Sequence, residues 1–428
     1  MLSAPMIVKY KDAKTSAATA LEERCVEHRS SDSDVRTSEA PRRHRRVADP
    51  QGVGGRASRL DAARPRRADL GDAGRRPRGI GGVRDARRRG AMATVRSRDA
   101  SSCGARSARA YGRGADDVVV TNGAQEALYV LAQAFAGEGD AVLVPDPGFV
   151  GYAGVAKLAG ATPVTYAVAK NDRFRLDAKA FGEALARTPN AKLAILGHPA
   201  NPTGAGASAE ALREVARLCA DRNVALVSDE VYRELWFEKR PPSLFDVAEN
   251  GFVVSSVSKG YGSPGLRIGW ICARDRDLGP IRVVHGYAVT STSIPSQIAA
   301  TAMIERSEAI FESSRAEVYA RFEALRSAFA EFAGTDVAPP DGSFYHWHPL
   351  PEVAHHDPVG WCIRMRDEAK VVLIPGLAFG EGGRGHARLS FAAQPEQVRE
   401  GVRRLVAFER DNAGGGATGE DAREVASR

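Results

Sequence analysis

Long apolar runs are missing from this chain of 428 residues. No stretch of eighteen apolar residues occurs, so no membrane-spanning helix is expected. The opening segment Met1 to Val8 meets Lys9 and Lys11 before it reaches the length of a secretory signal. Cysteine is scarce and odd in number: five, at positions 25, 103, 219, 272 and 362, with no Cys-x-x-Cys pair. That excludes a disulfide framework and a structural zinc site as expectations, and makes a reducing cytoplasm the expected compartment. Lysine is also scarce, ten against fifty arginines. With 43% apolar and 26% charged residues, the chain has the composition of a soluble globular protein with a large buried core, and its length suits two or three domains or one large enzyme.

The formal charge of +7 invites a nucleic-acid partner, but its distribution argues otherwise. Residues 1–113 hold 27 Lys and Arg against 13 Asp and Glu, a net of +14, and the rest of the chain is at −7. That first quarter has only Tyr10 and Tyr111 of the 29 aromatic residues. Runs such as Pro41-Arg42-Arg43-His44-Arg45-Arg46 and Arg87-Arg88-Arg89 repel themselves, and no apolar period of 3.6 or 2 residues accompanies them. Such a composition cannot offset the entropy of ordering a chain. Residues 1–113 are therefore expected to be an atypical, disordered N-terminal region. A winged-helix DNA reader needs three amphipathic helices, which this segment does not pattern, so a nucleic-acid partner is not expected.

From Asp116 the character changes. Short apolar runs at 117–121, 141–144, 162–166, 193–196, 224–227 and 252–254 alternate with helical patterns, among them 127–135, 149–159 and 208–221. This alternation predicts an α/β domain with a mainly parallel sheet covered on both faces, over residues 114–290. Long helices over roughly 296–332 follow. A smaller α/β part then has a turn at Pro339-Pro340-Asp341-Gly342, strands at 344–347, 371–374 and 387–391, and a helix near 359–369. Residues 291–410 are thus expected to form an interdomain helix and a small C-terminal domain, and 411–428 a disordered tail.

Four motifs stand just past strand ends, where open α/β sheets place their functional groups. Thr121-Asn122-Gly123-Ala124-Gln125 joins a strand to a helix whose first N–H groups suit an anion, although a plain strand–helix turn would read the same. Asn201-Pro202-Thr203-Gly204, alone, is an ordinary turn. Asp229-Glu230-Val231-Tyr232 ends the run 224–227, where a carboxylate is equally a helix cap. Ser255-Ser256-Val257-Ser258-Lys259-Gly260 follows 252–254, with Arg267 beyond it. In a chain so poor in lysine, Lys259 among small residues suits Schiff-base chemistry, which needs an amine able to lose its proton.

Together these motifs, in order and in register over roughly 114–410, resemble the class I/II aminotransferases, fold type I enzymes dependent on pyridoxal 5'-phosphate. The resemblance implies that Lys259 forms the internal aldimine and moves the proton between the substrate Cα and the cofactor. It implies that Asp229 pairs with the pyridine nitrogen, that Asn201 and Tyr232 hydrogen-bond the ring oxygen, and that Phe149, where the family often has tyrosine, stacks on the ring. The phosphate would be held at the Gly123, Ala124 and Gln125 turn, by Ser256 and Ser258, and by Arg267. Arg388, in Gly385-His386-Ala387-Arg388-Leu389-Ser390-Phe391, matches the arginine that clamps the substrate carboxylate, with Asn201 beside it. The implied activity moves the amino group of an α-amino acid to a 2-oxo acid in a cytoplasmic homodimer of amino acid metabolism.

The same fold and residues also serve β-lyases, synthases and cyclases. Amino acid alone leaves its nitrogen on a transaminase's cofactor, whereas a lyase releases ammonia. The first asparagine of the family's Asn-Pro-x-Asn-Pro-Thr-Gly motif is His198 here, read as a structural variant because the family's cofactor contact comes from the second. His355-His356 reads as a solvated loop, and no metal is expected.

In the family, the stretch before Thr121 carries an ordered arm and a loop that closes over the substrate. Here the length is kept while the pattern is lost. The Arg-, Ala-, Gly- and Pro-heavy composition is what GC-rich codons give when read out of frame, so residues 20–110 are expected to be the family's N-terminal region in a shifted frame, and the chain a poor enzyme. Resequencing the gene checks this: a verified unbroken frame together with full transaminase activity from this chain refutes it.

Overall fold

Short apolar runs and the punctuation between them build the frame of the molecule. The computed structural model describes residues 98–412. The expected runs form β1 (Val118–Thr121), β2 (Ala141–Asp146), β3 (Thr162–Ala167), β4 (Ala191–Gly197), β5 (Ala225–Asp229) and β6 (Phe252–Ser256). A further strand, β7 (Gly269–Cys272), inserts between β1 and β6, giving the order β1-β7-β6-β5-β4-β2-β3. Strands β2 to β6 pair in parallel, and β7 is antiparallel to both neighbours. The fold is α/β, and the parallel strands end on one edge.

Helices sandwich this sheet. On one face Leu128 and Leu131 of α2 (Ala124–Phe135) and Tyr152 and Val155 of α3 (Val150–Leu158) pack against Val142, Ile195 and Val227. On the other, Phe181 and Leu185 of α4 (Ala178–Ala186) and Leu212 and Val215 of α5 (Ala209–Asp221) meet Leu143, Leu196 and Leu226. The strands read as unbroken apolar runs because both faces are buried. Helix α5 starts where Ser208 Oγ accepts the Ala211 N–H at 3.1 Å, an N-cap that fixes its first turn.

The second sheet, order β8-β10-β9, is antiparallel: β8 (Tyr345–Pro349), β9 (Ile374–Pro375) and β10 (His386–Ser390). Its core unites Leu389 and Phe391 with Phe322, Leu325 and Phe329 of α8 (Ser307–Ala333) and with Val402 and Leu405 of α10 (Pro395–Asn412). Ser343 donates its N–H to the Leu235 carbonyl at 2.9 Å, tying the start of this sheet to the segment that leaves β5.

Three expectations need correction. Residues 98–109, expected to be structureless, form α1 (Arg98–Arg109) with Cys103, Ser107 and Ala108 buried. The remainder of that expectation, residues 1–97, lies outside the described residues, as do 413–428 of the tail. Helix α10 continues through Asn412, past the expected boundary. The long helices expected over roughly 296–332 are α7 (Ile294–Ile304) and α8, preceded by α6 (Gly279–Val289). The break falls where Ser307 Oγ donates to the Ile304 carbonyl at 2.6 Å, a side-chain bond that competes with helix continuation. The strand expected at 371–374 is reduced to the two residues of β9. The expected helix near 359–369 is α9 (Pro358–Arg364), continued by a wider turn through Ala369. The four described cysteines, 103, 219, 272 and 362, are buried and unpaired.

Candidate active site

Because β4, β5 and β6 are adjacent and parallel, the segments leaving their C-terminal ends converge. Asp229 is the last residue of β5, Asn201 follows β4, and Lys259 lies in the turn after β6. These three residues line a cavity of about 360 Å³ together with Tyr232 and, from the second sheet, Arg388. Ala124, Gln125, Phe149, Ser256, Ser258 and Arg267 line it too. Gly123 does not line the cavity but is the N-cap position of α2, at φ +85°, a conformation natural only to glycine. A larger cavity, about 610 Å³, borders β8 and Pro340, but no lysine lines it, so the chemistry selects the smaller one.

One end of the cavity suits an anion. No side chain caps α2, so its first N–H groups face outward with the positive end of the helix dipole. Arg267 lies over Gly123: a Cβ there would come within 2.4 Å of Nη2. Its guanidinium donates to the Pro264 and Asn122 carbonyls at 2.9 and 3.2 Å. A Cβ on Gly269 would meet the Gly123 and Ala124 backbone at 2.5 and 2.6 Å, so β7 approaches the helix end as only glycine permits. Ser256 Oγ accepts the Ser258 N–H at 3.2 Å, which leaves its own hydrogen to donate.

The middle holds the acid–base groups. Burial pushes the Asp229 carboxyl up to about 6, against hydrogen bonds from the Tyr152 hydroxyl (3.0 Å) and the Val231 N–H (3.3 Å) and the charge of Lys259. Burial pushes the Lys259 amine down; Asp229 opposes this, while Arg388 and Arg267 add to it. Its Nζ stands 5.5 Å from the Tyr232 ring centre and 5.6 Å from that of Phe344. Burial, helped by Tyr345 and Asp229, keeps the Tyr232 phenol well above its ordinary range, hence a neutral donor.

At the far end Arg388 Nη1 donates to Asn201 Oδ1 at 2.8 Å. The guanidinium lies between the rings of Tyr345 and Phe379, 4.5 and 4.9 Å from their centres. Its Nε is buried without a partner, so the guanidinium is not fully spent on Asn201 and keeps a donor for a carboxylate. Since Asn201 accepts through Oδ1, its NH₂ group is left to donate into the cavity.

The motif reading did not single out Tyr152 or Tyr345. Tyr152 is edge-on to Phe149, with ring centres 5.5 Å apart, and its place three residues beyond Phe149 was the available signal. His198 does not line the cavity. It is 2% exposed, its N–H donates to the Asp229 carbonyl at 3.1 Å, and burial, with Arg233 adding to it, pushes its ring down to about 3. His355 Nε2 meets the Leu350 carbonyl at 3.1 Å. Among the described residues no group of three or more His, Cys, Asp or Glu could hold a metal.

The family described as aminotransferase class I and II matches residues 98–405. The probable N-acetyl-LL-diaminopimelate aminotransferase of Bacillus subtilis (strain 168) is 31% identical over 293 residues, 68% of this chain and 73% of that protein. The aspartate aminotransferase of Pyrococcus horikoshii is 29% identical over 296 residues, 68% and 74% of the two. Among solved structures, N-succinyldiaminopimelate aminotransferase from Mycobacterium tuberculosis superposes with a TM-score of 0.67 at 27% identity, covering 72% of this chain and 83% of the other. A double mutant of Thermus thermophilus aspartate aminotransferase gives 0.66 at 28% identity, over 72% and 81%.

Proposed function

The chain belongs to the class I and II aminotransferases, which depend on pyridoxal phosphate, and from that premise we propose a division of labour among the residues of its cavity. The observation that carries it is the meeting, in one cavity, of a lysine and a buried carboxylate from neighbouring strand ends with a half-free arginine from the second sheet. Bound pyridoxal phosphate supplies an electron sink for the electron pair left when the substrate Cα loses its proton.

The residues fit that group. The uncapped end of α2, the Ser256 and Ser258 hydroxyls and the Arg267 guanidinium would hold a phosphate dianion. Asp229, costly to ionise while buried alone, gains a partner when a protonated ring nitrogen faces it. Tyr232 and the Asn201 NH₂ donate to a ring oxygen, and Phe149 covers a ring face. Lys259, with its proton loosened by burial, holds the cofactor and takes and returns the Cα proton. Arg388, oriented by Asn201, receives the substrate carboxylate on its unspent donors. The curated relatives above are named for aspartate and for a diaminopimelate derivative; for this chain the reading is an α-amino acid donor and a 2-oxo acid acceptor in biosynthetic amino acid metabolism.

A homodimer fits the exposed apolar side chains Val283 and Tyr287 on α6 and Ile298 on α7. A panel of amino acids added singly, followed by absorbance, tests the function. A substrate converts the bound cofactor once and stops until a 2-oxo acid is added; steady ammonia release instead would indicate a lyase. Arg388→Ala should leave cofactor binding and its spectrum intact and lower kcat/KM by roughly a hundredfold to ten-thousandfold, as expected when a charge-assisted clamp is cut. Loss of cofactor in that variant would place Arg388 in another role.

A further inference from the structure

Tyr345 touches both halves of the proposed site. It opens β8, is 7% exposed, and its hydroxyl lies 2.9 Å from the Tyr232 hydroxyl. The face of its ring is the surface on which the Arg388 guanidinium rests, at 4.5 Å. The backbone keeps it there: the Ser343 N–H to Leu235 carbonyl bond clips the start of β8 to the segment carrying Tyr232. Two phenols facing across one short contact share it asymmetrically, because one donates and the other accepts. Once Tyr232 spends its hydrogen on a ring oxygen, as proposed above, the contact can be kept only if Tyr345 donates to Tyr232.

We propose that Tyr345 is a positioning residue that orders the site through two separable contacts. Its hydroxyl donates to Tyr232 and aims the Tyr232 O–H at the cofactor's ring oxygen, while its ring sets the plane of the carboxylate clamp. This rests on the roles assigned to Tyr232 and Arg388. A donor into the Tyr232 oxygen polarises its own O–H and strengthens the bond it gives. That bond stabilises negative charge on the ring oxygen, the form present when the lysine link has lost its proton. Removing the Tyr345 hydroxyl therefore lets the link hold its proton to higher pH.

The two contacts separate by substitution. Tyr345→Phe keeps the ring and removes the hydroxyl; Tyr345→Leu removes both. Spectrophotometric pH titration of the cofactor-loaded protein should show the midpoint of the visible transition rising by roughly half a pH unit in both variants, the size set by one neutral hydrogen bond. KM for the amino acid should stay near that of the parent in Tyr345→Phe and rise severalfold in Tyr345→Leu, where Arg388 loses its platform. Tyr232→Phe should raise the midpoint further, and in that background Tyr345→Phe should add nothing.

An unmoved midpoint in both Tyr345 variants beside a raised one in Tyr232→Phe overturns the proposal and leaves the role of Tyr232 standing. An additional shift in the double variant also overturns it, because Tyr345 would then act on the cofactor by another route. A midpoint unmoved by Tyr232→Phe itself removes the underlying assignment. Either Tyr345 variant alone reads the hydroxyl, so poor recovery of one leaves the measurement intact.

Discussion

Lys259→Ala protein should purify without covalently held cofactor and lose at least about four orders of magnitude in turnover, because nucleophile and proton carrier leave together. Among the described residues lining the cavity, Lys259 is the only lysine, so no neighbour can take over the linkage. Arg267 and Arg388 are too basic to substitute, since a guanidinium does not deprotonate under working conditions. Borohydride reduction followed by intact-mass measurement checks the point. A cofactor-sized mass increment on the variant would refute the assignment.

Asp229→Asn should retain cofactor yet lower kcat/KM by roughly three orders of magnitude or more, since a neutral amide cannot hold a proton on a ring nitrogen. The same change should stabilise the cofactor-free protein. Burial sets the Asp229 carboxyl at about 6 instead of 3.8, so the folded chain binds its proton more tightly than the unfolded chain does. Ionisation then costs stability as pH rises from about 3.8, and the full cost, about 3 kcal/mol, is present above 6. Asparagine carries no such cost. Thermal melts of the two apoproteins should show the variant's advantage widening between pH 5 and pH 7.5. A constant or shrinking gap contradicts the burial argument.

Much of the large sheet was legible because strands buried on two faces, such as Leu193–Leu196 in β4, are unbroken apolar runs between glycine and proline. Strand β7 was not, because Gly269-Trp270-Ile271-Cys272 is short and antiparallel and no helix precedes it. Helix α1 escaped because its buried face is built of small residues: Cys103, Ser107 and Ala108, with Gly104 against Val118 and Val120. Small side chains carry little hydrophobic period. Most residues lining the cavity lie in compact motifs just past strand ends, which is why short patterns reach them. The phenols do not: Tyr152 bonds a carboxylate 77 positions away, and Tyr345 a hydroxyl 113 positions away. Pairings at such separation follow from how distant segments pack, a helix on the large sheet for Tyr152 and the second sheet on the first for Tyr345, and that leaves no local trace.

The place of β7 governs when the molecule becomes competent during its synthesis. Strand β1 pairs with the sheet only through β7, and Arg267, at the entrance to β7, is 145 positions from Asn122, whose carbonyl it holds. At about 5–20 residues per second, a ribosome needs roughly 7–30 s to make that interval. Throughout it, the newly made α2 end lacks both its arginine and the glycine strand beneath it. On the roles proposed above, an interrupted product that ends between Lys259 and Arg267 carries the lysine, the α2 end and the two serines but lacks the arginine of the phosphate cradle.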